Sequence, residues 1–171
     1  MDKLWAPWRV TYITKIIGKT KGCIFCRILK EKKDIKNYIF VRTRYSFAVL
    51  NIYPYNNGHT LIVPKRHVND FDKLTKAERE DLMDLLIYSQ KLLNKVLTPT
   101  GYNVGINLGR FSGAGIPGHL HIHVVPRWRG DVNFMAVTAN TKVISQSLRV
   151  LFNKLSAAAI SRGRTHRKNT K

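Results

Sequence analysis

The sequence predicts an α+β protein in which an antiparallel sheet of about five strands carries one long helix and a C-terminal helix. Short apolar, β-prone runs separated by turn residues indicate the strands. Two segments with apolar residues every three or four positions indicate the helices. A chain of 171 residues, 44% of them hydrophobic, is long enough to bury one core.

The predicted strands are bounded by loop-forming residues. A short polar stretch separates the first two strands, which are therefore expected to form a hairpin. A loop rich in Pro, Asn and Gly precedes the third strand, and a glycine-rich loop over residues 108–118 joins the last two. In chain order, the predicted strands are Tyr38–Val41, Phe47–Leu50, His59–Val63, Tyr102–Asn107 and His119–Val125.

The long helix begins with a capping-box pattern. Thr75 and Glu78 stand three residues apart just before an apolar repeat, which is the arrangement in which each side chain bonds the other's backbone N–H. The repeat leaves one face of the helix buried, and the helix is expected to end before Pro99. The C-terminal helix is predicted over Lys142–Ile160.

Three segments are predicted along the chain: an N-terminal arm (residues 1–21), one domain (22–160) and a basic tail (161–171). The tail has several cations and no large apolar side chain, so it is expected to be disordered.

The chain has 30 Lys and Arg against 10 Asp and Glu, a formal net charge of +20. This excess indicates either an anionic partner or a solvated basic surface. A nucleic acid could bind the tail, although no ladder of aromatic and basic residues supports such a site. No apolar run approaches the roughly 18 residues of a membrane span, and the first residues lack a signal-peptide core. We therefore expect a cytoplasmic protein with no membrane partner.

The most informative segment is His119–Val125, in which three histidines alternate with apolar residues. Period-two alternation places His119, His121 and His123 on one face of a strand and the aliphatic side chains on the other. Three imidazoles on one half-buried face could bind a metal or supply a nucleophile for chemistry on phosphate, or they could be structural.

Two cysteines, Cys23 and Cys26, are spaced as CxxC ahead of a predicted short helix. They are too close for an ordinary structural disulfide, which indicates a redox or metal-binding pair.

The triad segment fits the pattern His-φ-His-φ-His-φ-φ, where φ is apolar, and so resembles the histidine-triad (HIT) superfamily. Upstream, Asn51, Pro54 and the stretch Gly58–His67 resemble the substrate loop and following strand of that family. The resemblance covers about residues 22–135 and implies a HIT-like fold.

Two flanking segments, Leu4–Arg9 and Pro126–Met135, resemble the branch of the family that contains diadenosine tetraphosphate phosphorylases. The resemblance implies an enzyme that cleaves dinucleoside polyphosphates through a nucleotidyl-histidine intermediate on His121, with phosphate as the favoured acceptor. The alternatives are hydrolysis by water of dinucleoside tetraphosphates or nucleoside phosphoramidates, and non-catalytic binding of nucleotides or nucleic acid.

The resemblance also implies roles for other residues. His119 and His123 would join His121 in the catalytic set, and His123 would hold a phosphoryl oxygen. Many hydrolases of the family have Gln and then Ser or Thr before the first histidine, where this chain has Ala114–Gly118, so a phosphoramidase or triphosphate hydrolase is disfavoured. The glycines would let backbone N–H groups approach phosphate, and Ser112 would partly replace the missing donor. The implied substrate-binding residues are Asn51, Asn107, Ser112, Gly113 and Gly115.

A structural zinc site is implied by the same resemblance, with Cys23, Cys26, His67 and His119 as a closed tetrahedral ligand set. The alternative is a pair of buried reduced thiols and a surface histidine. No organic cofactor is expected. An adenine nucleotide is the implied substrate, and a homodimer through the long helix and its adjoining strand is the implied assembly, although packing on the sheet explains the apolar helix face equally well.

Overall fold

In the computed structural model, an antiparallel sheet packs between two groups of helices. The structure describes residues 22–109, 111–131, 144 and 146–166, with side chains described as far as Ile160. Within these residues the strands are β1 (Ile39–Arg42), β2 (Ser46–Leu50), β3 (Thr60–Pro64), β4 (Gly101–Ile106) and β5 (Ile122–Arg127). The helices are α1 (Ile24–Glu31), α2 (Asp34–Asn37), α3 (Lys76–Leu97) and α4 (Leu148–His166).

The described strands form one five-stranded sheet in the order β1-β2-β3-β5-β4, with every neighbouring pair antiparallel. The predicted α+β class, the sheet of about five strands and the first hairpin are confirmed. Four of the predicted strands lie within one residue of the observed ones at each end.

The fifth strand differs from its prediction, because β5 begins at Ile122 and not at His119. The last β3 residue that pairs with β5 is Ile62, opposite Ile122. Continuing this register would bring Leu120 opposite Pro64, which has no N–H for the ladder. The Leu120 N–H instead donates to the carbonyl of Val68, at 2.6 Å. His119 and His121 therefore lie in the segment that leads into the strand.

The two faces of the sheet bury different cores. One face packs on the long helices through residues such as Ile62, Ile122 and Val124. The opposite face packs on α1, with Phe25 against Phe47 and Leu61. Side chains of β5 alternate between these faces, so the histidines lie on the α1 side.

The capping box of α3 is confirmed. The Thr75 hydroxyl accepts from the Glu78 N–H at 3.3 Å, and the Glu78 carboxylate accepts from the Thr75 N–H at 2.8 Å. The helix ends at Leu97, and Thr98 has a left-handed backbone just before Pro99, as predicted.

The C-terminal helix was predicted to begin at Lys142 but begins at Leu148. Ser147 accounts for the later start, because its hydroxyl accepts from the Val150 N–H at 3.3 Å and its carbonyl accepts from the Leu151 N–H at 3.1 Å. The helix continues through His166, past the predicted limit at residue 160, and the disorder of the basic tail stays a prediction. The arm, residues 1–21, and residues 167–171 lie outside the described part of the chain, and the domain limits remain predictions.

Gly58 lies at the base of the loop between β2 and β3 and has a φ of +78°, a conformation that glycine adopts readily. A Cβ at this position would come within 2.6 Å of Leu97 Cδ1 and 3.1 Å of Pro126 Cγ. The loop therefore rests closely against α3 and β5. Among the described helices, none has the length and hydropathy that crossing a membrane requires.

Candidate functional site

The three histidines of the triad lie on the α1 face of the sheet, on the side opposite Leu120 and Ile122. His119 and His121 are buried, with 1% and 5% of their surface exposed, and His123 is half-buried. The rings of His121 and His123 are neighbours, with centroids 4.9 Å apart, and Phe25 of α1 lies 5.2 Å from His121. The site is therefore a shielded row of imidazoles along one edge of an apolar core.

The protonation of His121 follows from its hydrogen bond. Its Nδ1 lies 2.8 Å from the carbonyl oxygen of His119, and because a carbonyl only accepts, Nδ1 carries the hydrogen. Nε2 of the neutral ring therefore keeps its lone pair. Burial lowers the pKa of His121, and the bond to His119 partly offsets that effect. A neutral imidazole with one free nitrogen is a competent nucleophile.

A fourth histidine, His59, joins the triad from the loop that precedes β3. It is 1% exposed, and its Nδ1 accepts from the backbone N–H of Tyr55 at 3.1 Å. Its hydrogen is therefore on Nε2, which donates to Nδ1 of His123 at 2.9 Å. His123 in turn carries its hydrogen on Nε2 and can donate it to a phosphoryl oxygen.

Both histidines of this pair remain neutral far below neutral pH. Burial, and then the neighbouring His123 and His121, lower the pKa of His59 to about 3. Burial, and then His121, lower the pKa of His123 to about 4. The donor that His123 presents is thus a neutral N–H, and its direction is set by His59.

Sequence reasoning did not identify His59 as a site residue, although the motif Gly58–His67 contains it. One signal was present: His59 stands two residues before Leu61, so it shares a face with Leu61. Its closeness to His123 depends on β3 pairing with β5, with Leu61 opposite His123.

A cavity of about 350 Å³ adjoins the histidines, between α1, the end of β2 and the loop that follows. Leu61 and Phe25, which line it, are the residues that meet His123 and His121. Its volume and largely apolar walls suit a small organic ring system. The cavity is lined by apolar residues Ile24, Phe25, Ile28, Val49, Leu50, Ile52, Leu61 and Ile116, and by Arg27, Lys36, Asn37, Tyr38, Asn51 and Tyr53.

Of the predicted substrate-binding residues, Asn51 lies beside the histidines. Asn51 lines the cavity, accepts from the Tyr53 N–H at 2.9 Å, and places Nδ2 3.3 Å from Nδ1 of His59. It therefore shapes the turn and also faces the site. Asn107 follows β4, whose Ile106 pairs with Ile122, so the continued register brings Asn107 opposite His121.

The glycine-rich loop contains the other predicted substrate-binding residues, Ser112, Gly113 and Gly115. Ser112 is exposed, and its hydroxyl donates to the carbonyl of Gly109 within the same loop, at 2.9 Å. Gly113 is exposed with a φ of +81°, and Gly115 is half-buried. The loop thus leads into the triad, and the described hydrogen bond of the Ser112 side chain stays within it.

Four predicted metal ligands come together at the other end of the triad: Cys23, Cys26, His67 and His119, whose donor atoms all lie within 4.8 Å of one another. The two Nδ1 atoms are 3.2 Å apart, and sulfur–nitrogen distances are 3.2, 3.4 and 3.6 Å. A tetrahedral zinc ion with the usual bond lengths would separate two nitrogens by about 3.4 Å and a nitrogen from a sulfur by about 3.6 Å.

The protonation of this cluster also suits a cation. Nε2 of His119 donates to the Pro64 carbonyl at 2.9 Å, which leaves the Nδ1 lone pair directed at the cysteines. Burial, and then the adjacent Cys23, raise the pKa of the Cys26 thiol. Two neighbouring thiolates are therefore unfavourable unless a cation joins them. The residues fit a closed site of two sulfurs and two nitrogens.

A family model described as HIT domain matches residues 32–130. The chain belongs to the HIT family. The AP-4-A phosphorylase of Mycobacterium tuberculosis is 37% identical over 156 residues, which cover 87% of this chain and 80% of that protein. The asymmetrical bis(5'-nucleosyl)-tetraphosphatase of Schizosaccharomyces pombe is 34% identical over 101 residues, which cover 59% of this chain and 55% of that protein.

Solved structures share the fold of this HIT chain. A zinc-bound histidine triad family protein from Mycobacterium smegmatis superposes with a TM-score of 0.67, covering 84% of this chain and 97% of that one, at 23% identity. The predicted HIT-like fold is thus confirmed, and the chain is an enzyme of the HIT family.

Proposed function

We propose that this HIT enzyme cleaves dinucleoside polyphosphates such as diadenosine tetraphosphate by nucleotidyl transfer, with His121 as nucleophile and phosphate as the favoured acceptor. As a HIT enzyme it acts on the phosphoanhydride bonds of nucleotides. The observation that carries the proposal is the hydrogen bonding of the two neighbouring histidines: Nδ1 of His121 meets the His119 carbonyl and Nδ1 of His123 meets Nε2 of His59, which implies a free Nε2 lone pair on His121 and an Nε2–H on His123. A nucleophile and a donor side by side are the two groups that substitution at phosphorus needs.

In the first step, Nε2 of His121 attacks the α-phosphorus, and a P–N bond forms. The bond from that phosphorus to the bridging oxygen breaks, and the leaving nucleotide departs with the electron pair. With diadenosine tetraphosphate the leaving group is ATP, and an adenylyl group stays on His121. The Nε2–H of His123 stabilises the charge that develops on the phosphoryl and leaving oxygens.

In the second step, an oxygen of inorganic phosphate attacks the same phosphorus and the P–N bond breaks, which releases ADP and restores His121. Attack by water would release AMP instead. The cavity beside Leu61 would hold the adenine nucleoside of the transferred group, with Asn51 at its edge. The 37% identity to an AP-4-A phosphorylase over most of both chains supports phosphate as the acceptor.

The test is product analysis by anion exchange after incubation with diadenosine tetraphosphate, with and without phosphate. We expect ATP and ADP only when phosphate is present. His121→Ala should lose at least about a thousandfold in kcat, as removal of a nucleophile does, while its thermal unfolding stays cooperative. ATP and AMP formed without phosphate would show that water is the acceptor. Full turnover by His121→Ala would exclude the covalent route altogether.

A second candidate, hydrolysis of nucleoside phosphoramidates, uses the same nucleophile with an amine as the leaving group. The segment Ala114–Gly118 has no hydroxyl or amide side chain near such a leaving group, which disfavours it. Release of AMP from adenosine 5'-phosphoramidate faster than turnover of the dinucleotide would reverse this order of preference.

We also propose that Cys23, Cys26, His67 and His119 hold a structural zinc ion. The ion would connect the N-terminal end of α1 to the segment that leads into β5. With all four positions taken by protein atoms, such a site is closed and contributes to folding rather than to the reaction.

A homodimer and a cytoplasmic location complete the proposal. β4 is an edge strand of the described sheet, and its residues Asn103, Val104 and Gly105 are exposed. An edge strand with unpaired backbone groups is a template for another strand, which here would be β4 of a second copy.

A further inference from the structure

The loop between β2 and β3, residues 51–59, lies between the end of β5 and the histidines, and its backbone groups bond to His59. We propose that Asn56 is a positioning residue: its buried amide holds this loop against the end of β5, so that the loop keeps the proton arrangement of His59 and His123. The kinetic consequence rests on the proposed function, whereas the spectroscopic consequence does not.

The Asn56 side chain is 5% exposed and uses both of its amide hydrogens. Nδ2 donates to the carbonyl of Pro126 at 2.9 Å and to Oδ2 of Asp131 at 2.8 Å. Asp131 also accepts from the Arg127 guanidinium, from Nε at 2.5 Å and from Nη2 at 3.0 Å. One side chain of the loop is therefore joined to Pro126, near the end of the strand that carries His123, and to Asp131, just after that strand.

From Asn56 the connection to His59 is short. The Asn56 carbonyl accepts from the His59 N–H at 3.1 Å, and the preceding residue, Tyr55, donates its N–H to Nδ1 of His59 at 3.1 Å. The Tyr55 ring also lies parallel to the His123 ring, 5.9 Å between centroids. A shift of Asn56 would therefore move one of the two donors that keep the hydrogen of His59 on Nε2, the other being Nδ2 of Asn51 at 3.3 Å from Nδ1.

The chemistry of His123 depends on the Tyr55 N–H. While the Tyr55 N–H occupies Nδ1 of His59, the hydrogen of His59 is on Nε2, and His123 is left with its own hydrogen on Nε2. If the Tyr55 N–H withdraws, only the longer contact with Nδ2 of Asn51 remains at Nδ1, and His59 can then carry its hydrogen on Nδ1 in part of the molecules. His123 then bonds to Nε2 of His59 through an Nδ1–H and offers a bare Nε2 to the phosphate, which is an acceptor in place of a donor.

The position requires an amide. Two acceptors, a carbonyl and a carboxylate, flank the Asn56 side chain, and only a group with two hydrogens on one nitrogen satisfies both. An aspartate would place a third negatively polarised oxygen between them, and an alanine would leave the Pro126 carbonyl and the Asp131 carboxylate each short of one donor.

The test compares Asn56→Ala with Thr43→Val in the whole 171-residue chain, prepared with added zinc. Thr43→Val removes other partly buried side-chain bonds, to Asp81 of α3 at 2.6 Å and to the backbone of Ser46 at 3.1 Å. We expect Asn56→Ala to lower kcat for diadenosine tetraphosphate about tenfold to a hundredfold, part of the roughly 10²- to 10⁴-fold effect of a positioned proton donor, with little change in KM. Thr43→Val should lower stability but leave kcat unchanged.

The spectroscopic arm uses ¹⁵N-labelled histidine side chains in the same proteins. The wild type and Thr43→Val should show Nε2 protonated in both His59 and His123, and Asn56→Ala should show a mixture of tautomers. Unchanged tautomers and unchanged kcat in Asn56→Ala would overturn the proposal, even if that variant is less stable.

A second variant, Asp131→Asn, allows the proposal to be tested even if Asn56→Ala does not fold. Asp131→Asn keeps an oxygen that can accept from Asn56 but removes the negative charge that pairs with the Arg127 guanidinium. We expect kcat and the histidine tautomers to shift in the same direction as in Asn56→Ala, but by less. If Asn56→Ala does not fold, wild-type behaviour of Asp131→Asn overturns the proposal. If the wild type does not cleave the dinucleotide, the proposed function fails and the tautomers alone decide the role of Asn56.

Discussion

Hydrogen bonds to fixed acceptors and donors indicate how several buried side chains of this protein are protonated. Carbonyls assign the hydrogen of His119 and His121, and a backbone N–H assigns that of His59. The same principle acts on the carboxylate of Glu78, which accepts from both Nε and Nη2 of Arg66, at 2.8 and 2.7 Å. The Arg66 bonds, assisted by Thr75, lower the pKa of Glu78 from 4.5 to about 2.

This shift of Glu78 predicts a pH-dependent contribution to stability. A carboxylate with a lower pKa in the folded state stabilises fully above its unfolded pKa and loses this effect as the pH falls towards the folded value. Glu78→Gln keeps the capping box but not the charge. Urea unfolding should therefore show a wild-type advantage over Glu78→Gln at neutral pH that shrinks between about pH 5 and pH 2. An advantage that stays constant over this range would contradict the assignment.

At the scale of elements, the packing of α1 on the sheet brings the cysteines to the triad. Phe25 of α1 is 3% exposed and contacts the rings of both His119 and His121. The proposed zinc ion would add a covalent-like link between the start of this helix and His119. The helix has only eight residues, and helices this short depend on tertiary contacts.

Loss of zinc should therefore loosen α1. Cys26→Ser is expected to bind less than one zinc per chain and to unfold about 5–10 °C lower, the shift that about 2–3 kcal/mol produces in a chain of this size. A strong chelator should bring the wild type close to that value. His121→Ala, which removes an adjacent histidine outside the ligand set, should keep its zinc by elemental analysis. Equal zinc content in Cys26→Ser and the wild type would exclude the site.

The sequence predicts the helices and strands better than it predicts the arrangement of side chains in the candidate site. Period two at His119–Val125 and the pair Thr75 and Glu78 are local patterns, and local patterns predicted the histidine face and the start of α3. Ser147 was also a local signal for the start of α4, since serine commonly precedes a helix. The early end of pairing at Pro64 and the approach of His59 to His123 depend on strand register between distant segments, which no local pattern contains.

For the whole molecule, β4 lies at one edge of the described sheet, and in the proposed homodimer this edge would meet a second copy. Val104 is 46% exposed in the middle of this edge strand, and an unpaired strand of this kind is normally covered or protected. Charge acts in the opposite direction, because the net +20 makes copies of the chain repel one another at low salt.

Light scattering in moderate salt should therefore report twice the monomer mass. Val104→Lys places a charge in the middle of the edge and should shift the population to monomer. Ile35→Lys, which alters a still more exposed apolar residue on α2, should remain dimeric. A monomeric wild type at every salt concentration would rule out the edge-to-edge assembly.

Gly58 limits which positions can be varied in order to change the substrate specificity of this enzyme. The loop before it contains the residues that face the cavity and the histidines, so it is the natural place for a combinatorial library. Any side chain at residue 58 would meet Leu97 within 2.6 Å, on a backbone that other residues adopt only with strain. Variants selected for new substrates should accordingly accumulate at residues 51–55 and retain glycine at 58.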